Sequence, residues 1–185
     1  MTAKEIILLV LGGVLANNFV FERFLGLAPL FGAAKKGEKL LALGLSVLAV
    51  MLVTAPLAWV VQAKLLAPRA LEFLQIPALA ALVLLVTALL GLAADKLFKK
   101  PLGVYFPVIA LNSAVLGLAI VASAADLLTA VLTALGVGLG FLAALPVFAG
   151  VLSRIDEQAV PKAFRGLPIQ LLAAGIVSLA LLAFK

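Results

Sequence analysis

Apolar residues fill this chain in six long runs, near residues 4–33, 40–62, 76–95, 102–124, 127–151 and 167–184, with short polar connections between them. A helix half exposed to water carries its apolar residues as a stripe on one side, whereas these runs are apolar all round. About 20 such residues cross roughly 30 Å of hydrocarbon. The pattern predicts an all-α integral membrane protein with six transmembrane helices.

The first run is too long for one straight crossing, because thirty helical residues measure about 45 Å. Its polar positions mark where it breaks. Asn17 and Asn18 stand together in the middle, Glu22 and Arg23 follow, and Pro29 interrupts the apolar stretch from Phe24 to Gly32. Paired asparagines can satisfy backbone groups freed at a break, and an internal proline removes a helical hydrogen bond. Two half-helices are predicted here. Glu22 and Arg23 are costly at membrane depth, so they face protein, a water-filled cavity or, where the break lifts them, the interface. The fourth run repeats the theme, with Pro107 followed by Asn112-Ser113-Ala114-Val115-Leu116-Gly117.

Ala28-Pro29-Leu30-Phe31-Gly32 and Ser113-Ala114-Val115-Leu116-Gly117 each open on a small residue and reach glycine four positions later, 85 residues apart. That offset is close to half the chain. The runs therefore divide into two groups of three, roughly residues 1–95 and 96–185, within a single membrane domain. Three is odd, so the second group enters the membrane from the opposite side. This is an inverted-topology repeat with its first and fourth helices interrupted. Such repeats set broken helices near the midplane, where unwound backbone lines a pathway. The competing explanation is that a small residue four positions from glycine only lets helices pack closely. Asn17, Asn18, Glu22 and Asn112 are the candidates for a pathway lining, and support of the helix breaks explains the asparagines equally well. Gly136, Gly138 and Gly140 lie inside an apolar run with no preceding strand, so they are assigned to helix packing and not to a dinucleotide loop. Thr54-Ala55-Pro56 and Pro146 are expected to kink the second and fifth helices, with Thr54 hydrogen-bonding locally.

Composition narrows the chemistry. Hydrophobic residues make up 66% of the chain and charged residues 12%, with a mean hydropathy of +1.33, against about 45–50% and 25% in an ordinary soluble domain. Cysteine and histidine are both absent, which removes thiol nucleophiles, zinc–thiolate sites and the usual general base. No catalytic residue and no metal ligand is assigned. In a six-span topology, Lys35, Lys36, Lys39, Lys96, Lys99, Lys100, Arg154, Lys162, Arg165 and Arg23 share one side, ten of the fourteen basic residues. The positive-inside rule makes that side cytoplasmic and places both termini outside the cytoplasm. The basic residues flank spans and form no stripe with interleaved aromatics. The net charge of +6 therefore points to the lipid bilayer as partner and to no nucleic acid.

Several stretches carry a family resemblance: Asn17-Asn18-Phe19, Phe24-Leu25-Gly26-Leu27-Ala28-Pro29, Lys35-Lys36, Asn112 to Gly117, Val160-Pro161, Phe164-Arg165-Gly166 and Ala174-Gly175. In this order, running from one end of the chain to the other, they resemble the Rnf/Nqr membrane subunits. The likeness is greatest to the A-type subunits of Rnf complexes and weaker, around Pro29, to the E subunit of the sodium-pumping NADH:quinone reductase. The resemblance implies a multi-pass subunit of a bacterial or archaeal cell membrane. Such a subunit is paired with an oppositely oriented homologue and other subunits, in a complex that moves electrons from ferredoxin or NADH while transporting Na+ or H+. It also implies an iron-sulfur centre within the membrane, held by a cysteine on each interrupted helix and shared with the partner subunit. Here Ala28 and Ser113 occupy those two positions. Alanine offers iron no ligand and a serine hydroxyl replaces a thiolate poorly, so no cofactor is expected to be held by this chain as it stands.

A second reading belongs to a different class: a cysteine-free or redesigned scaffold of the same fold, a homo-oligomer without redox activity. Leucine and alanine supply 79 of the 185 residues, a simplification that optimisation of helix propensity and packing produces and a GC-rich genome produces equally well. A solute transporter working alone finds little support, since Asn17, Asn18, Glu22 and Asn112 are too few polar groups to specify a substrate.

Overall fold

The computed structural model describes residues 2–34, 40–98, 106–156 and 158–184. Lys35, Lys36, Lys39, Lys99 and Lys100, on which much of the charge asymmetry rests, lie outside them. Eight α-helices occur in the described residues: α1 (Ala3–Val14), α2 (Leu27–Ala34), α3 (Leu40–Val60), α4 (Gln75–Phe98), α5 (Phe106–Ala110), α6 (Ser113–Ser123), α7 (Leu127–Ser153) and α8 (Leu167–Leu181). α3 runs on through a π-helical turn, Val61–Leu66, and a 3-10 turn, Ala67–Arg69. Leu40–Arg69, Glu72–Lys96 and Leu127–Ser153 are long and apolar enough to cross a membrane, and α6 and α8 are shorter apolar helices.

The ends of these helices follow from local chemistry. Thr2 and Glu5 form a reciprocal capping box at the start of α1. Asp126 caps α7 by accepting the Thr129 N–H at 3.1 Å; the Thr129 hydroxyl first, and this N–H after it, hold its exposed carboxyl below the ordinary value of 3.8. The cap therefore helps the fold above that ordinary value and is lost as pH falls through the lowered one. Prolines begin helices more often than they break them. Pro29, Pro107 and Pro168 all lie in the first turn of α2, α5 and α8, where the missing N–H has no intrahelical partner to lose. Pro29 is thus not the break that its position suggests. α3 and α7 run on through Pro56 and Pro146. The local bond expected of Thr54 is not made: its hydroxyl is buried without a partner among the described residues. Thr87, by contrast, donates to the Val83 carbonyl at 2.7 Å.

In a bilayer the lipid is as apolar as leucine, so helices associate through close contact of small residues and not through a hydrophobic drive. The interior reflects this. Ala55, Ala58, Ala114, Ala119, Ala122, Ala130, Ala134 and Ala174 are fully buried, while Leu41, Leu45, Leu84, Leu85, Leu89, Leu92 and Leu179 face outward. α7 is the spine, packed against α1, α3 and α6. Its glycines do what the sequence assigns them: a Cβ on Gly136 would lie 3.0 Å from the Val10 carbonyl oxygen, and one on Gly140 would lie 2.7 Å from that of Gly13. The α1 and α7 backbones touch.

Gly140→Ala is expected to destabilise the chain by about 1–3 kcal/mol through this overpacking, read by SDS-titrated unfolding in mixed micelles. Gly150→Ala, where nothing lies within 4 Å of the added Cβ, is expected to be neutral or stabilising by up to about 1 kcal/mol.

Candidate functional site at the two helix breaks

The first break spans the residues between Val14 and Leu27, and Asn18 holds it. This side chain is only 3% exposed. Its Nδ2 donates to the Val14 carbonyl at 2.8 Å, capping the end of α1, and to the Gly140 carbonyl of α7 at 3.1 Å. Its Oδ1 accepts the N–H groups of Val20 and Phe21 at 2.9 and 3.4 Å. One asparagine thus serves four backbone groups. The loop closes further through Glu22 N–H to Asn18 carbonyl and Leu25 N–H to Phe19 carbonyl. Phe24 has a φ of 55° and Gly26 one of 80°. The left-handed region suits the glycine and strains the phenylalanine, at a cost of order 1–3 kcal/mol.

The second break lies between α5 and α6. Asn112, 1% exposed, caps α6 by accepting the Ala114 N–H at 2.9 Å. Its Nδ2 is buried and has no partner among the described residues. The two breaks meet here. Ser113 Oγ accepts the Gly26 N–H at 2.9 Å, and a Cβ on Gly26 would fall 3.0 Å from Asn112 Oδ1 and 2.9 Å from the Phe141 ring. Only glycine fits that space and that φ. The start of α2 is therefore pinned to the start of α6, with Ser113 at the junction and Ala28 two residues beyond it. Both Ala28 and Ser113 are exposed.

The four pathway candidates do not form one group. Asn18 and Glu22 line a cavity of about 330 Å3 with Leu15, Ala16, Phe21, Ser178, Leu181 and Leu182. Ser178, from α8, donates its hydroxyl to the Phe21 carbonyl at 2.5 Å. Asn17 is exposed and does not line the cavity, and Asn112 borders a separate space against Ala80, Val83 and Leu84 of α4. Glu22 and Arg23 are exposed, and the Arg23 guanidinium stacks 4.8 Å from the centroid of Phe19. The neighbours Leu181 and Leu182 put Glu22 at the C-terminal end of α8. Arg23 therefore does not belong with Arg154, Lys162 and Arg165 at the other end of that helix, where the charge count groups it.

Comparison with known proteins shows the family. The family described as Rnf-Nqr subunit, membrane protein, matches residues 6–185. The A subunit of the ion-translocating oxidoreductase complex of Syntrophotalea carbinolica is 39% identical, over 98% of this chain and 96% of its own. The A subunit of the Na(+)-translocating ferredoxin:NAD(+) oxidoreductase complex of Acetobacterium woodii is 37% identical, over 97% and 96%. The A subunit of the ion-translocating oxidoreductase complex of Rhodobacter capsulatus is 33% identical, over 98% and 96%. The chain belongs to the Rnf-Nqr family.

For an Rnf-Nqr subunit, the resemblance places an iron-sulfur centre at residues 28 and 113, and the donors present do not fit it. Ala28 offers a methyl group, and the Ser113 oxygen is already engaged by the Gly26 N–H. No group of three acidic, histidine or cysteine side chains able to hold a metal occurs among the described residues. What the junction does is mechanical: it joins two half-helices through a serine and a glycine. Gly26 and Ser178 carry contacts that sequence reasoning left without a role. A glycine between a break and a half-helix is a legible signal for positive φ, whereas a single serine in an apolar run gives none.

Asn18→Ala removes four bonds, three of them buried, and Asn112→Ala removes one cap. The expected losses are about 3 kcal/mol or more for the first, from several unpaired buried groups, and about 1 kcal/mol for the second. Unfolding in mixed micelles checks the order; equal losses would contradict the assigned roles.

Proposed function

We propose that this chain is the A-type membrane subunit of a complex that couples electron transfer between ferredoxin and NAD+ to the translocation of Na+ or H+. The observation that carries the reading is identity of 39% over nearly the full length of both chains with a relative of that complex. The chain works as part of the assembly and is not a complete enzyme alone. In this reading α1 with α2 is the first span, α3 and α4 the next two, α5 with α6 the fourth, and α7 and α8 the last. The two groups form an inverted repeat. Support comes from the matched placement of the breaks, with α2 starting at Leu27 and α6 at Ser113, close to the 85-residue offset in the sequence. The basic residues put both termini outside the cytoplasm of a bacterial or archaeal cell.

The exposed junction at Ala28 and Ser113 is the surface for the oppositely oriented homologous subunit, and this chain brings no thiolate to it. A redox-silent scaffold of the same fold is the second reading, favoured by those same two residues.

Expression with the partner subunits separates the two. The complex reading expects co-purification with flavin-bearing and ferredoxin-like subunits, and an isolated homo-oligomer would overturn it. Ala28→Cys with Ser113→Cys, reconstituted with iron beside the homologous subunit, is expected to gain iron and visible absorbance that the parent chain lacks. Failure to take up iron would mean that the junction no longer has the geometry of the family site.

A further inference from the structure

The outer face of α8 has no cover among the described residues. We propose that it binds an anionic phospholipid, with one acyl chain lying in a groove along α8 and the phosphate held at the end that carries Lys162 and Arg165. The choice of leaflet rests on the topology proposed above; the groove and its charges do not.

α8 has two unlike faces. Gln170, Ala173, Ala174 and Val177 are buried against the protein. Pro168, Leu171, Leu172, Gly175, Ile176 and Leu179 recur at the spacing of a single opposite helix face and line a groove of about 730 Å3, bordered by Phe24 and Phe164. The helical rise from Pro168 to Leu179 measures about 16 Å, close to the roughly 15 Å that half of a 30 Å hydrocarbon core provides. One acyl chain of one leaflet therefore matches the groove in length. The lining suits no polar ligand: Ser178 is its one polar residue among those described, and that hydroxyl donates to the Phe21 carbonyl. Nor does the face suit a second helix, which needs small residues to bring backbones together. Gly175 stands alone among Leu171, Leu172, Ile176 and Leu179, which are 49% to 68% exposed. A Cβ on Gly175 would meet nothing within 4 Å, so its missing side chain serves no neighbour within the chain. It leaves room for a flexible chain between the larger side chains.

Positive charge lies at the end where a headgroup would sit. Lys162 and Arg165 flank Phe164 in the sequence. Arg165 donates from Nε to the Val160 carbonyl at 2.8 Å and from Nη2 to the Gln158 carbonyl at 2.9 Å, so its guanidinium is held in place before a ligand arrives. Lys162 is exposed and has no hydrogen bond or ion pair among the described residues. With Arg154, these basic residues outnumber Asp156 and Glu157, the acidic residues of the same segment. Asp156 also uses one carboxylate oxygen on the Gln158 N–H. A phosphodiester at this end meets surplus positive charge, which is what recruits anionic lipids. With both termini outside the cytoplasm, the lipid belongs to the cytoplasmic leaflet.

The test uses the full chain in mild-detergent micelles with a trace of phosphatidylglycerol that carries a diazirine midway along one acyl chain. After irradiation, peptide mass spectrometry is expected to find the label concentrated between Pro168 and Leu179, well above its level on Leu84, Leu85, Leu89 and Leu92, the outward leucines of α4. Unlabelled phosphatidylglycerol is expected to displace the probe about 25-fold more effectively than phosphatidylcholine, about fivefold for each of Lys162 and Arg165, and Lys162→Gln to cut that preference to about fivefold. Gly175→Leu fills the groove, and it is expected to lose most of the label on α8 while keeping its melting temperature. Equal labelling of α8 and α4 would mean lipid that coats the chain without a site, and would overturn the proposal. Equal competition by the two lipids, or a Gly175→Leu chain labelled like the parent, would overturn it too. Label lost from α8 when the chain is assembled with partner subunits, but kept in the chain alone, would put a subunit in the groove in place of the lipid and would equally overturn it.

Discussion

A backbone N–H or carbonyl in hydrocarbon has no water to turn to, so every interruption of a membrane helix must be sealed from within the protein. Among the described residues two such interruptions are sealed, and the surrounding fold is arranged around them. Asn18 closes the first with four bonds, one of them to α7. Asn112 closes the second by capping α6, and Ser113 takes the N–H that begins α2. The seals are linked, because Gly26 lets the two half-helices approach until each completes the other.

The packing serves the same end. Gly13, Gly136 and Gly140 bring α1 against α7 until backbone meets backbone, and that closeness puts the Gly140 carbonyl within reach of Asn18. A larger residue at position 140 would push away the helix whose end Asn18 caps. Eight alanines are fully buried beside core leucines such as Leu30, Leu79 and Leu118, while many other leucines face outward, in keeping with association through van der Waals fit. The simple Leu/Ala composition is thus compatible with a specific interior, since the specificity lies in a few glycines, asparagines and serines.

The all-helical apolar architecture, the three long spans and the two breaks were legible in the sequence because hydrophobic length and misplaced polar residues report directly on the cost of burial. The paired asparagines marked the first break, and the Asn112-Ser113 motif marked the second. Their different tasks were not legible. Asn17 and Asn18 are adjacent and both lie past the end of α1 at Val14, yet only Asn18 turns inward. Pro29 looked like a helix breaker because composition does not say where a helix starts; it lies where a proline costs nothing. The meeting of Gly26 with Ser113 joins residues 87 positions apart, and no local pattern encodes such a contact. Membership of the Rnf-Nqr family adds the complex, and Ala28 and Ser113 set this chain apart from the thiolate chemistry that the resemblance implies.

Amide hydrogen exchange of the chain in nanodiscs tests the sealing of the breaks most directly. If the side-chain bonds close them, the N–H groups of Val20, Phe21, Gly26 and Ala114 exchange as slowly as those in the middle of α7, although Val20, Phe21 and Gly26 lie outside any helix. Exchange of these groups at the rate of an open, hydrated loop would contradict the account.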